Sequence, residues 1–207
     1  MTLLRPLLTL ALAAALWPAG AAHADYLWLQ RDGTGALTLR AGLLHKPLSA
    51  LPVLRDAKAR ADGQAVDMQP QADHVGFGAP AGGDLRFTAT RIADEGVLVY
   101  EQARFGRSET RALNDLELVP TTPEGDRYQL LFKGRAVAAS QLVVETAEGW
   151  RRVLKPAADG SFSFTPWIPG LYVLEVSARL NNGSVTLDGK TYTDVRHTAT
   201  LSFEVQR

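Results

Sequence analysis

Strict alternation in the last strand-like stretch, with turn residues recurring every few positions before it, limits most what this chain can fold into. From His197 to Val205, Ala199, Leu201, Phe203 and Val205 fall on one side. Thr198, Thr200, Ser202 and Glu204 fall on the other. A period of two marks a strand with one face on a core and one facing water. Leu201, Phe203 and Val205 are therefore expected to be buried, and Thr200, Ser202 and Glu204 largely exposed.

The same β signal runs back through the C-terminal half. Arg127 to Lys133, Gln141 to Thr146, Trp150 to Leu154, Ser161 to Phe164 and Gly170 to Leu180 are short, rich in Val, Leu, Phe, Tyr and Thr, and separated by turn residues. Tyr172, Leu174, Val176 and Ala178 form a second apolar stripe. Asp159-Gly160, Asp188-Gly189 and Asn181-Asn182-Gly183 read as hairpin turns, because Gly accepts the positive φ of a primed turn. Pro166 and Pro169 stop any ladder around Trp167-Ile168. Strands at this spacing imply an antiparallel sandwich of the immunoglobulin or transthyretin kind over 116–207.

The preceding half leans to β but is less regular. Tyr26 to Gln30 and Ala36 to Ala41 flank a hairpin signal at Asp32-Gly33-Thr34-Gly35. Leu85 to Ile92 and Gly96 to Glu101 pair around Ala93-Asp94-Glu95. Leu48 to Ala61 reads as a short helix or a loop, and Asp67 to Gly83 as irregular. The fold class is all-β, with a smaller module over 25–115 and a sandwich over 116–207.

Residues 1–24 carry a different signal. Arg5, the Leu- and Ala-rich run from Leu7 to Trp17 and the small residues up to Ala24 match a secretory signal peptide. The apolar run falls short of the roughly 20 residues a bilayer span needs. Cleavage is expected after Ala24, with cuts after Ala21 or Ala22 as alternatives and a retained anchor as the competing reading. The excess of Arg over Lys and the Ala content point to a GC-rich bacterium, hence to the periplasm. The absence of Cys removes disulfides, thiolate metal sites and thiol catalysis. Formal charge is zero, which argues against a nucleic-acid partner. After cleavage the chain is read as soluble, without membrane insertion.

Four stretches carry a family resemblance: Asp25-Tyr26-Leu27-Trp28-Leu29-Gln30; Leu116-Glu117-Leu118-Val119-Pro120; Asp159 to Phe164 followed by Pro169 to Leu174; and His197 to Val205. On these the chain resembles a bacterial domain-of-unknown-function family of exported proteins described as periplasmic components of cobalt or nickel uptake. The third stretch resembles a transthyretin or carboxypeptidase-regulatory sandwich. The resemblance implies a divalent metal (Ni or Co) as ligand and a membrane metal-uptake permease, or another envelope protein, as partner. Family members often place a His just before the Trp-Leu block. Asp25 stands there in this chain, and His23 survives as the first or second mature residue only if the cut follows Ala22 or Ala21.

Imidazole and carboxylate ligands suit Ni²⁺ and Co²⁺. The candidates are His45, His74 and His197, with Asp194 three residues before His197. None of the His residues shows a helical pair or finger spacing. No G-x-S-x-G, H-E-x-x-H or P-loop sequence is present, so no enzyme activity is expected. Arg104, Arg107 and Arg111, with Glu101 and Glu109, are expected to form either an ion-pair network between modules or an anion- or partner-binding surface. Trp150 and Trp167 are core aromatics or sugar-stacking platforms. The functional expectation is a non-catalytic periplasmic binding protein assisting metal uptake. The alternative is an envelope-interaction or carbohydrate-binding β module without metal.

Overall fold

The computed structural model describes residues 25–78, 83–93, 96–179 and 183–206. The leader with His23, the Asp94-Glu95 turn and Asn181-Asn182 lie outside the described residues. In chain order the strands are β1 (Tyr26–Arg31), β2 (Leu37–Leu43), β3 (Lys46–Pro47), β4 (Arg55–Ala61), β5 (Gln64–Ala65), β6 (Met68–Pro70), β7 (Val75–Phe77), β8 (Leu85–Ile92), β9 (Leu98–Phe105) and β10 (Leu116–Pro120). They continue as β11 (Arg127–Phe132), β12 (Arg135–Ala136), β13 (Leu142–Thr146), β14 (Arg151–Leu154), β15 (Ser161–Ser163), β16 (Gly170–Arg179), β17 (Val185–Leu187), β18 (Lys190–Tyr192) and β19 (Val195–Val205). The fold is all-β, as the alternation and turn residues require.

The strands build a central eight-stranded sheet in the order β14-β13-β16-β19-β9-β8-β4-β5. Its pairings are antiparallel except that β19 and β9 run parallel, from Val195 opposite Leu98 to Ser202 opposite Phe105. Two smaller sheets cover opposite faces of it. One is β1-β2-β7-β6, with β3 on β2; the other is β10-β11-β12, with β15 on β11. Side-chain parity shows which strands each covers. Leu85, Phe87 and Ala89 of β8, with Ala103 and Phe105 of β9, pack against Leu27, Leu29, Leu37 and Leu39 of the first small sheet. Tyr172, Leu174 and Val176 of β16, with Ala199, Leu201 and Phe203 of β19, pack against Leu116, Leu118, Tyr128 and Leu130 of the second. The intervening Val173 of β16 points the other way, onto Tyr26 and Trp28. A separate hairpin, β17-β18, packs Tyr192 against Leu98 and Val195. Its turn has positive φ at both Asp188 and Gly189, as the Asp-Gly dipeptide predicts for a primed hairpin.

The C-terminal half is a sandwich, with Leu201 and Phe203 buried and Glu204 exposed, while Val205, expected to be buried, is half-buried at the end of β19. The expectation of exposed Thr200 and Ser202 is corrected: they are 4% and 0% exposed. The reason is that β1 lies over the polar face of β19, and Thr200 Oγ1 donates to the Leu27 carbonyl at 2.7 Å. Segments 25–115 and 116–207 therefore share one sheet, and the chain passes from one to the other just before β10. The helix-or-loop expectation for 48–61 is also corrected, since β4 occupies its second part. Asp67 to Gly83, expected to be irregular, contributes β6 and β7.

Candidate functional site

The second small sheet packs on β13, β16 and β19, and residues 113–117 lie over Arg86, Gln102 and Arg104 on the same face of β8 and β9, so that this face stays open along β4 and the Thr88–Thr90 part of β8. Between that face and residues 113–115 lies a groove of about 540 Å³. Its floor follows from register. Lys58, Thr88 and Gln102 form one cross-strand row, and Thr90, Tyr100 and His197 the next. Alternation along LRFTATRI explains the polarity: the odd positions enter the core, so Thr88 and Thr90 face the groove. Asp56, Lys58 and Arg60 of β4 stand at one rim and Leu113, Asn114 and Asp115 at the other.

A buried ion network fixes the second rim. Glu117 accepts from Arg86 Nε at 2.8 Å, Arg104 Nη1 at 2.9 Å and the backbone N–H groups of Leu113 and Asn114 at 2.7 and 2.8 Å. Arg104 also pairs with Asp84, and Arg86 with Glu109. Burial pushes the Asp84 carboxyl up, but the Ser108 hydroxyl and Arg104 outweigh it and hold the carboxyl below the usual range. For Arg86, burial disfavours the charge and Glu117 and Glu109 more than restore it.

His197 is the most defined polar group of the floor. Gln102 Oε1 accepts from the Leu116 N–H, so Gln102 Nε2 is the donor to His197 Nδ1 at 3.0 Å. The ring proton must then sit on Nε2. Burial, countered by Asp115 and assisted by Lys133, lowers the His197 pKa, which keeps the ring neutral. Tyr100 stacks on it at 4.8 Å and Phe132 meets it edge-on at 5.1 Å. Asn114 Nδ2 is enclosed and has no hydrogen-bond partner among the described residues.

The structure does not gather the metal candidates. His45 is exposed in the turn between β2 and β3. His74, in the turn between β6 and β7, sets its Nδ1 2.8 Å from Asp73, and Asp73 also holds Arg40. His197 has its Nδ1 occupied by Gln102. Asp194 is paired with Arg196 at 2.9 Å and Arg179 at 3.2 Å, cations that hold its carboxyl below the usual range. Among the described residues no three His, Asp or Glu side chains converge to hold an ion.

Of the three candidate surface arginines, Arg104 and Arg107 are turned inward. Arg107 lies over the Phe203 ring at 4.2 Å and donates to the Tyr128 hydroxyl at 3.1 Å. Arg111 is exposed, and its carbonyl accepts from Arg86 Nη2 at 3.0 Å. These contacts make Arg104 and Arg107 part of the junction between the halves. The groove itself, with Lys58, Thr88, Tyr100, Gln102 and Asn114, was not anticipated, because its residues come from five separate segments.

No family model matches the chain. No curated protein matches it either. Among the described residues no helix is long and apolar enough to cross a membrane.

Proposed function

We propose that this protein is an exported, non-catalytic binding protein whose ligand site is the polar groove over β4, β8 and β9, and that its ligand is a hydroxylated molecule of the carbohydrate class. The observation that carries the reading is the groove's lining. Thr88, Thr90, Tyr100, Asn114, Asp115 and Lys58 offer hydroxyl, amide, carboxylate and ammonium groups across one concave surface. That mixture of donors and acceptors beside an aromatic ring suits a ligand presenting many hydroxyls. Binding is favoured over catalysis because the imidazole that would act as a base already accepts a hydrogen bond from Gln102. Export rests on the leader sequence. A role in nickel or cobalt uptake has the resemblance as its support, and the groove does not require it.

The test is a panel of neutral oligosaccharides screened by NMR shift perturbation. Binders should perturb Thr88, Tyr100 and Asn114. Lys58→Ala and Thr88→Ala, both at accessible positions, should weaken binding by about tenfold each, the scale of a lost ligand hydrogen bond, without moving the unfolding midpoint. Perturbations confined to residues outside the groove would overturn the assignment.

A further inference from the structure

Among the described residues the central sheet ends at one side on a strand with a free edge, and that side carries the most exposed aromatic side chain. Among the described residues β14 pairs only with β13, from Leu142 opposite Leu154 to Glu145 opposite Arg151. The Trp150 carbonyl accepts from the Thr146 N–H at 2.9 Å, and the Trp150 N–H donates to the Thr146 hydroxyl at 3.2 Å. Trp150 thus turns its backbone toward β13. Antiparallel alternation then points the N–H and C=O groups of Arg151 and Val153 outward, unmatched by any strand. Proteins usually blunt such an edge with charge, proline or a covering element. Here the charge of Arg151 is drawn onto Glu145 at 3.1 Å, Val153 is 49% exposed on the edge itself, and the charge that remains is the exposed Arg152 and Lys155.

Trp167 stands beside this edge, 67% exposed. Its loop is held from beneath. The N–H groups of Trp167 and Ile168 donate to the buried Tyr172 hydroxyl at 3.2 and 2.8 Å, and Pro166 and Pro169 restrict the backbone on either side. The indole meets Trp150 edge to face at 6.0 Å, and Trp150 stacks on Phe164 at 6.0 Å. A large apolar group already fixed in place loses little entropy on binding, which is the property of interface anchors.

We infer that β14 and the Trp150–Trp167 corner form a docking edge for an extended, acidic segment of another protein, which adds a strand to the central sheet. Main-chain hydrogen bonds to Arg151 and Val153 supply the register-independent grip. Selectivity comes from the side chains. Trp150 and Arg152 lie two residues apart, and Arg152 sits opposite the core-facing Val144, so both project to one side of the sheet. An incoming strand therefore sets an apolar residue on the tryptophan corner and an acidic residue two positions along against Arg152. Lys155, exposed just beyond, extends the positive charge, while Glu148 in the preceding turn limits it at the other end. A second copy of this chain is a poor occupant, because the antiparallel register that uses the outward groups of both Arg151 and Val153 in each copy sets Arg152 against Arg152. The edge is separate from the groove.

The experiment selects displayed random peptides of roughly eight residues, a common strand length, on the full chain. Enrichment of an apolar residue two positions from Asp or Glu is expected. The selected peptide, synthesised, should slow hydrogen exchange at the Arg151 and Val153 amides, and N-methylation of its alternate amides should abolish binding. Trp167→Ala should weaken it by about tenfold or more, the scale of an interface anchor. Arg152→Glu should shift preference from acidic to basic peptides; both residues are exposed, so the unfolding midpoint should stay put. Failure to enrich acidic peptides, binding indifferent to N-methylation, or a saccharide that stacks on Trp167 without protecting those amides would each overturn the inference. None of these results bears on the groove.

Discussion

At the scale of single residues, two buried charge arrangements set measurable properties. Glu101 is enclosed in the central sheet with Arg91 as its hydrogen-bonded cation. Burial, with the Glu175 carboxylate adding to it and Arg91 opposing, pushes its pKa from 4.5 up to about 7. A carboxyl whose folded pKa is raised binds more protons in the folded state, so its contribution to stability is full below the unfolded value and lost as pH rises through the folded one. Stability should therefore fall between about pH 4.5 and pH 7 on account of Glu101. His197, lowered by burial, acts in the opposite sense on acidification. The useful quantity is consequently the difference between wild type and Glu101→Gln, which keeps an acceptor for Arg91. Urea midpoints measured at about pH 5 and about pH 8 should show the variant gaining on the wild type as pH rises. A constant difference would remove Glu101 from this role. Glu117 is the second case, since two guanidinium groups and two backbone N–H groups converge on it. Glu117→Ala leaves buried cations unmatched and should cost about 3–5 kcal/mol, read as a lower urea midpoint. Because the Leu113 and Asn114 N–H groups lose their acceptor, faster exchange at those amides should accompany it.

At the scale of elements, legibility followed how much each strand's neighbours contributed. β8, β16 and β19 declare themselves by alternation, and the Asp-Gly turn between β17 and β18 by its dipeptide. β4 does not. Its sequence, RDAKARA, has neither β-branched nor aromatic residues and contains good helix formers. It is a strand because Ala59 and Ala61 fit beneath the first small sheet while its backbone pairs with β8. A register irregularity between Arg55 and Lys58, with Asp56 at a φ of 51°, further hides the period. The polar face of β19 was readable as polar but not as covered. Thr198, Thr200 and Ser202 satisfy the alternation rule whether water or another sheet lies over them, and only the position of β1 decides. The groove was illegible for the same reason. Its floor strands could be assigned separately, but the parallel pairing of β19 with β9 is what brings His197 beside Tyr100 and Gln102. Local patterning carries no signal for that pairing.

At the scale of the whole molecule, the shared sheet makes the two halves depend on each other. β19 is hydrogen-bonded to β16 on one side and to β9 on the other, so its pairings reach across the division at Asp115. Its two faces are also covered by different halves: Ala199, Leu201 and Phe203 by the second small sheet, and Thr200 by β1. A fragment spanning 116–206 would keep the first cover and lose the second. It would also expose the edge of a long strand that the full chain pairs along eight residues, from Val195 to Ser202. Unpaired edges of that length invite aggregation. The matching fragment, 25–115, would leave Arg86 and Arg104 without Glu117. Each fragment is expected to fail to fold alone, and the intact chain to unfold in one step. Trp28 belongs to the first half and Trp150 to the second, so variants retaining only one of these as the tryptophan reporter follow the halves separately. Both should report the same urea midpoint, coincident with loss of the β signal in far-UV circular dichroism. Two resolved midpoints, or a folded and monomeric 116–206 fragment, would show that the parallel β19–β9 pairing and the cover provided by β1 contribute too little to bind the halves into one cooperative unit.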